Sequence, residues 1–319
     1  MSESNQKKCT HCVATEDHHL HIMRPISLLI NKEEDKMRKS IIVTGASSGI
    51  GKATVIRLVK SGYQVFGLAR RYSNLISIYT ELPSSIENKE FQFIPMEFDI
   101  TKPDRFDGII KDIFSEAKGN TIYGLVSSAG YVEPGAIEDI TMQDIRNQFE
   151  TNLFGLVGLI KKILPFMLEN NEGRIVNISS VSGLISLPLI GVYSATKYAL
   201  EAVTDALRSE LWNTNIKVIT INPGLVDTNI NTVSRPKLDN LVEKKSSRFS
   251  EIYRKYLYNV PIGLPSDSVA NVILKAISSQ KPKCRYIVGS TTVRIGVRMK
   301  KFVPDRIFVS QVAKRIHQK

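Results

Sequence analysis

The chain has 319 residues, 42% apolar and 23% charged, the make-up of a soluble globular protein with enough length for a sizeable core. An excess of 43 Lys and Arg over 31 Asp and Glu gives a formal charge of +12. That balance leaves nucleic acid, an anionic membrane surface or an anionic cofactor as partners until the charges are located. No uninterrupted apolar run reaches the roughly eighteen residues of a spanning helix; Leu153 to Leu168 comes nearest and is broken by Lys161, Lys162 and Pro165. The polar N-terminus lacks the apolar core of a secretory signal, and Cys9, Cys12 and Cys284 are too scattered for a disulfide framework. These features point to a reducing, cytoplasmic setting.

Residues 1–38 stand apart. They hold Cys9, Cys12, His11, His18, His19 and His21, followed by the charged run Lys32 to Lys39. Cys-x2-Cys with nearby histidines can satisfy tetrahedral zinc, but the second Cys pair or spaced His pair of a finger is missing. The segment therefore reads as a disordered extension without a metal, and Met37 is an alternative start.

From Ser40 onward strand and helix patterns alternate. Ile41-Ile42-Val43 is the first strand, Gly45 to Gly51 a loop, Ala53 to Ser61 a helix and Gln64 to Leu68 a second strand. Phe91 to Ile94, Ile122 to Val126, Arg174 to Ile178 and Ile216 to Ile221 supply further strands. Continuous apolar strands between amphipathic helices predict an α/β fold, a single doubly wound parallel sheet of Rossmann type with helices on both faces, spanning 39–290. After Pro223-Gly224 the alternation lapses. The stretch of about 229–262 is polar and basic, with irregularly spaced apolar residues, and reads as an insertion over the carboxyl ends of the strands, a lid on the substrate. Residues 291–319 form a basic tail with interleaved apolar residues, either a terminal helix packed on the domain or an amphipathic segment for peripheral contact with an anionic membrane.

The loop Thr44-Gly45-Ala46-Ser47-Ser48-Gly49-Ile50-Gly51 joins a strand to a helix, the context in which glycines let a backbone approach a pyrophosphate at a helix N-terminus. The second strand ends in Ala69-Arg70-Arg71. A carboxylate there would hold a ribose 2′-hydroxyl; two guanidiniums suit a 2′-phosphate, so NADP(H) is the expected cofactor. Tyr193 and Lys197, four residues apart, share one helix face, and an ammonium beside a phenol is expected to lower its pKa toward useful acid–base work. Ser180, at the end of its strand, can donate to a carbonyl oxygen. Each signal alone is weak.

Together they resemble the short-chain dehydrogenase/reductases, in the non-extended branch and similar to members acting on hydroxysteroids or retinol, over residues 40 to about 230. The motifs are TGASSGIG at 44–51, FDI at 98–100, SSAG at 127–130, ETNLFG at 150–155, IVNISS at 175–180, YSATK at 193–197 and NPGLVDT at 222–228. The resemblance implies a tetrad of Asn152, Ser180, Tyr193 and Lys197, with Asn152 distorting its helix and positioning a water that links Lys197 to solvent. It implies cofactor contacts from Gly45, Ser47, Ser48, Gly49, Ile50 and Gly51; from Asp99 and Ile100 at adenine; and from Ala129 and Gly130 at the ribose. Tyr193 and Lys197 reach the nicotinamide end, with Pro223, Gly224, Val226 and Thr228 at the carboxamide. SSAG in place of the usual NNAG puts one structural hydrogen bond beneath the sheet in doubt.

The implied activity is hydride transfer between NADP(H) and a hydrophobic alcohol or ketone, steroid-, retinoid- or lipid-like, by a homodimer or homotetramer. A non-catalytic NADP(H) sensor or scaffold is the alternative, and the complete tetrad argues against it. Nucleic acid is not an expected partner, because the basic residues form no aromatic-interleaved platform.

Overall fold

A computed structural model describes residues 39–227, 230–243, 247–258 and 263–317. The N-terminal Cys/His segment, with its zinc question and Met37, lies outside the described residues, as does Thr228. Seven parallel strands form one sheet in the order β3-β2-β1-β4-β5-β6-β9. They are β1 (Lys39–Thr44), β2 (Gln64–Ala69), β3 (Phe93–Glu97), β4 (Thr121–Ser127), β5 (Gly173–Ile178), β6 (Ile216–Pro223) and β9 (Arg285–Val288). A two-stranded accessory pairs β7 (Val226–Asp227) with β8 (Leu264–Pro265).

Why this sequence makes a two-sided sheet is visible in β1. Ile41 and Val43 join the buried cluster on one face, with Val55, Leu58, Ile273 and Ile277. Ile42 joins the cluster on the other, with Ile110, Ile113, Leu156 and Leu159. Successive side chains leave a strand on opposite faces, so both must be covered by helices. The first face is covered by α1 (Gly49–Val59) and α7 (Ser266–Ser278). The second is covered by α2 (Phe106–Ala117), α3 (Met142–Glu169) and α4 (Gly191–Glu210). Helix α3 is long and apolar enough to cross a membrane, but Leu156, Leu159, Ile160, Ile163 and Met167 bury its apolar face in the core.

Several sequence-based boundaries shift. Helix α1 begins at Gly49, not Ala53, because Gly49-Ile50-Gly51 already form its first turn. Strand β3 runs Phe93–Glu97, since Phe91 and Gln92 close a one-turn helix (Lys89–Gln92). Strand β9 carries no sequence signal, being four half-buried residues at the sheet edge. The insertion is not an irregular loop. It holds α5 (Ile230–Glu243) and α6 (Ser250–Tyr258). Leu238, Leu241 and Val242 on one helix, and Phe249, Ile252 and Tyr253 toward the next, pack together over Ala136 and Leu189. Their spacing is helical within each piece and looks irregular only when the two pieces are read as one. The tail likewise divides into α8 (Thr291–Met299) and α9 (Asp305–His317).

Candidate active site

Strand order reverses between β1 and β4, and ligands of doubly wound sheets bind in the crevice beyond the carboxyl ends at such a point. The loops after β1 and β4 meet there: Ser128 N and Ala129 N both donate to Thr44 Oγ1, each at 3.0 Å. Gly45 has φ +66°, and a Cβ on it would lie 2.9 Å from the Ala129 backbone. A Cβ on Gly51 would lie 2.2 Å from the Gly45 carbonyl oxygen. The turn is therefore compressed against both neighbours, and only glycine fits. Ser48 caps α1 without a side-chain hydrogen bond, so it leaves the first-turn amides of Gly49, Ile50 and Gly51 to an anion. An open groove of about 600 Å³ runs beside this loop, lined by Ser47, Ser48, Gly49, Lys52 and residues of α1 and α7. It touches none of Ser180, Tyr193 and Lys197.

Arg70 and Arg71 follow β2, both exposed, and among the described residues neither is held in an ion pair. Arg70 reaches the site electrically. Partial burial works to raise the Asp99 pKa, but hydrogen bonds from Thr101 and the cations of Arg70 and Lys102 outweigh it and hold the carboxyl below its ordinary value. Asp99 accepts from Thr101 N at 3.0 Å and Thr101 Oγ1 at 2.8 Å. Ile100 rests on α3, where any side chain at Gly155 would come within 2.3 Å of its carbonyl oxygen. A turn that needs glycine at Gly45 and Gly51, an uncapped helix start and two guanidiniums without an ion-pair partner among the described residues fit a nicotinamide dinucleotide.

Four candidate residues converge beyond β4 and β5. Asn152 lies in a π-turn, Glu150–Phe154, that interrupts α3. Its Oδ1 accepts from Tyr131 N at 3.0 Å, while Nδ2 donates to Tyr131 O at 2.9 Å and to Thr196 Oγ1 at 3.2 Å. The widened turn turns this side chain out of the helix and onto the loop after β4. A Cβ on Gly130 would sit 3.1 Å from Asn152 Oδ1 and 3.6 Å from Lys197 Nζ, so all three crowd one point. Lys197 Nζ donates to Ile178 O at 2.8 Å. Ser180 Oγ accepts from Ser182 N at 3.0 Å and donates to Pro223 O at 3.5 Å, close enough to the Tyr193 phenol to weigh on its pKa. The start of α4 that carries Tyr193 is set by Leu189, at φ +65°, whose carbonyl takes Gly135 N at 2.7 Å.

One electrostatic expectation is reversed. Burial pushes the Tyr193 phenol above its ordinary value, with the Ser180 hydrogen bond the opposing influence. The lysine yields instead: burial pushes Lys197 down to about 8, against the Glu201 carboxylate, which holds it up. Its Nζ stands 5.8 Å from the Tyr193 ring centre and is bound to the Ile178 backbone carbonyl. At that separation desolvation outweighs the attraction between ammonium and phenolate.

Pro223 closes β6, and Gly224 N donates to Val288 O at 2.8 Å, placing the loop after β6 beside β9. Val226 is buried in β7. The doubt raised by SSAG is visible: Ser127 Oγ is buried without a hydrogen-bond partner among the described residues. Sequence reasoning passed over Thr44, Thr196 and Glu201. The last had a signal, lying one helical turn beyond Lys197.

The comparisons agree with this geometry. Residues 39–239 match the family model described as short chain dehydrogenase. An uncharacterized oxidoreductase, YbbO of Escherichia coli K12, is 34% identical over 275 residues, 85% of this chain and 93% of that one. An NADPH-dependent 3-dehydrocapnine reductase of Ornithobacterium rhinotracheale is 31% identical, covering 83% and 93%. A short-chain dehydrogenase from Streptomyces avermitilis superposes with a TM-score of 0.67 at 27% identity, covering 88% of this chain and 98% of that one. With a doubly wound sheet, a glycine turn after β1 and a matched span that reaches from β1 into α5, the chain belongs to the short-chain dehydrogenase/reductases, oxidoreductases that use a nicotinamide cofactor.

Proposed function

We propose that the protein is an NADP(H)-dependent reductase of a hydrophobic ketone, or dehydrogenase of the corresponding secondary alcohol. The observation that supports the reading is the crowding of Asn152 and Lys197 at Gly130, with the Tyr193 ring 5.8 Å from the Lys197 Nζ and Ser180 influencing the Tyr193 phenol. The nicotinamide, when bound, supplies or accepts the hydride. Ser180 donates to the carbonyl oxygen, and Tyr193, kept protonated by burial, delivers the proton as negative charge grows there. Lys197, whose own pKa is brought to about 8, binds the nicotinamide ribose and passes a proton inward near neutrality. The Asn152 side chain is engaged by Tyr131 and Thr196, so contact with a water relay falls to the backbone opened by the π-turn.

Preference for NADP(H) is supported by Arg70 and Arg71 and by the NADPH-dependent relative. Gly45 to Gly51 would hold the pyrophosphate, Asp99 and Ile100 the adenine, Ala129 and Gly130 the ribose, and Pro223, Gly224 and Val226 the carboxamide. A hydrophobic substrate is supported by Ile137, Leu187 and Leu225, large apolar side chains left exposed in the loops after β4, β5 and β6. Exposed Phe154 and Leu168 on α3, and Tyr198 on α4, support a homo-oligomer.

The tail supports peripheral contact with an anionic membrane. Val293 and Val297 of α8 turn toward the domain, whereas Ile295, Met299 and Phe302 line up in solvent beside Arg294, Arg298 and Lys301. Flotation with phosphatidylglycerol vesicles, but not phosphatidylcholine, at physiological salt is expected, and Phe302→Ser with Met299→Ser should abolish it. Equal flotation with both lipids would remove the electrostatic part of this reading.

The test of the activity is fluorescence titration of NADPH and NADH against wild type and Arg70→Ala/Arg71→Ala, together with NADPH oxidation on 9,10-phenanthrenequinone. Tight NADPH binding lost in the double variant, and turnover falling at least about a hundredfold in Tyr193→Phe, are expected. Equal affinity for both cofactors would overturn the NADP(H) assignment. Turnover within tenfold of wild type in Tyr193→Phe would sink the catalytic one.

A further inference from the structure

Glu201 is a buried carboxylate that the reaction as written does not use, 5% exposed on α4, one turn beyond Lys197. Its two oxygens have separate partners. Oε1 accepts from Asn222 Nδ2 at 2.6 Å. Oε2 takes Arg285 Nη2 at 2.6 Å and Nε at 3.1 Å, and Arg285 reaches Asp205 as well at 3.3 Å. Asn222 Nδ2 also donates to the backbone carbonyl of Ser180 at 3.0 Å. One amide nitrogen thus bridges the carboxylate of α4 and the main chain of Ser180.

The orientation of that amide is forced. Both groups facing it accept hydrogen bonds, and Asn222 Oδ1 on the other side is buried without a partner among the described residues. Turning the amide over would set an oxygen against a carboxylate and a carbonyl, so Glu201 and the Ser180 carbonyl together hold Nδ2 between them, the carboxylate being the stronger acceptor. We propose that Glu201 is a positioning residue of the active site, holding Ser180 in place through Asn222 while Arg285 of the last strand balances its charge. The inference rests on the roles assigned above to Ser180, Tyr193 and Lys197.

Electrostatics add a second consequence. The groups facing Glu201 are Asn222 from β6, Arg285 from β9, and Lys197 and Asp205 along its own helix. Those around Lys197 are the Ile178 carbonyl, Asn152 across Gly130, Tyr193 and Glu201. Glu201 is the carboxylate that opposes the effect of burial on Lys197, so its removal leaves the lysine less basic.

Three variants separate reach from charge. In Glu201→Gln the negative charge facing Asn222 and Arg285 is lost while the reach is kept; in Glu201→Asp the carboxylate stays but falls short of Asn222; in Asn222→Ala the bridge is gone and the carboxylate stays. One readout needs no substrate: titration of the Lys197 ε-carbon in protein labelled with ¹³C-lysine, assigned with Lys197→Arg. The midpoint is expected to fall by about one pH unit in Glu201→Gln and to hold in the other two. With 9,10-phenanthrenequinone and saturating NADPH, kcat should fall about tenfold in all three, while the Kd for NADPH stays within about twofold. A Glu201→Gln protein with the wild-type midpoint and wild-type kcat would overturn the proposal, and Glu201→Asp with Asn222→Ala decides it should Glu201→Gln not fold. Full turnover in Tyr193→Phe is a different failure, that of the site assignment. Loss in Tyr193→Phe with none in the Glu201 and Asn222 variants sinks this inference alone.

Discussion

Two regions of the molecule are held in different ways. The glycine turn and its neighbours are main chain: segments around the ends of β1 to β4, pressed together at Gly45, Gly51 and Gly155 beside a sheet covered on both faces. The insertion is α5 and α6, whose described polar attachments to the domain reach one segment, 133–144. Lys237 pairs with Glu133 and Asp144, Arg248 with Glu138, and Ser247 and Tyr253 with Asp139. A region of packed backbone cannot be changed without moving the sheet, whereas one held by a few ion pairs and a small apolar cluster can be replaced.

The largest effects are expected on the sheet side of the comparison, first at Lys197, a buried side chain of α4 held to β5. Lys197→Met is expected to cut turnover on 9,10-phenanthrenequinone by about 10²–10⁴-fold. It should also stabilise the protein near pH 7 by up to about 3 kcal/mol, since a lysine held at about 8 costs folding energy at neutral pH. The folded pKa lies below the ordinary 10.5, so between about 8 and 10.5 the native state carries fewer protons than the unfolded chain. Wild-type stability therefore rises with pH across that window relative to Lys197→Met. Parallel urea midpoints for the two proteins from pH 7 to 10 would show that the ammonium is not buried as described. Gly51→Ala comes next. Its Cβ meets backbone, which no rotamer can relieve, so a stability loss of about 1–3 kcal/mol and a tenfold or greater loss of NADPH affinity are expected. Wild-type NADPH binding in that variant would mean the turn is not compressed.

The same contrast governs what could be read from the chain beforehand. The strands β1 to β6, the glycine turn and the Tyr193/Lys197 spacing are local patterns, fixed by periodicity or by the needs of a tight turn. Strand β9 escaped because four half-buried residues at an edge have no periodicity to detect. The helices of the insertion escaped because the apolar faces of α5 and α6 make sense only against Ala136 and Leu189, more than forty positions away in the chain. The direction of the Tyr193 shift was misjudged for a related reason: spacing says that two side chains share a face, but which is desolvated, and which points to a carbonyl, depends on β5 and the loops around it.

The insertion should give way gradually. Lys237 is 42% exposed, so its pairs alone are worth little, but its removal strands Glu133, which is 6% exposed. Burial already raises the Glu133 pKa, with Lys237 the main force against it. In Lys237→Ala the carboxyl rises further, and a loss of about 1–2 kcal/mol is expected at neutral pH. The raised pKa makes the native state hold its proton longer than the unfolded chain, so stability falls as pH climbs above about 4.5, and more steeply without Lys237. The gap between the two proteins must then widen from pH 4.5 toward neutrality. KM for the diketone should rise several-fold, with NADPH affinity unchanged. Arg248→Ala removes a pair that is 74% and 45% exposed and leaves no buried charge behind, so less than about 0.5 kcal/mol is at stake. If Arg248→Ala costs as much as Lys237→Ala, the insertion is held by its ion pairs as such; if only Lys237→Ala matters, it is held by the need to neutralise one buried carboxylate.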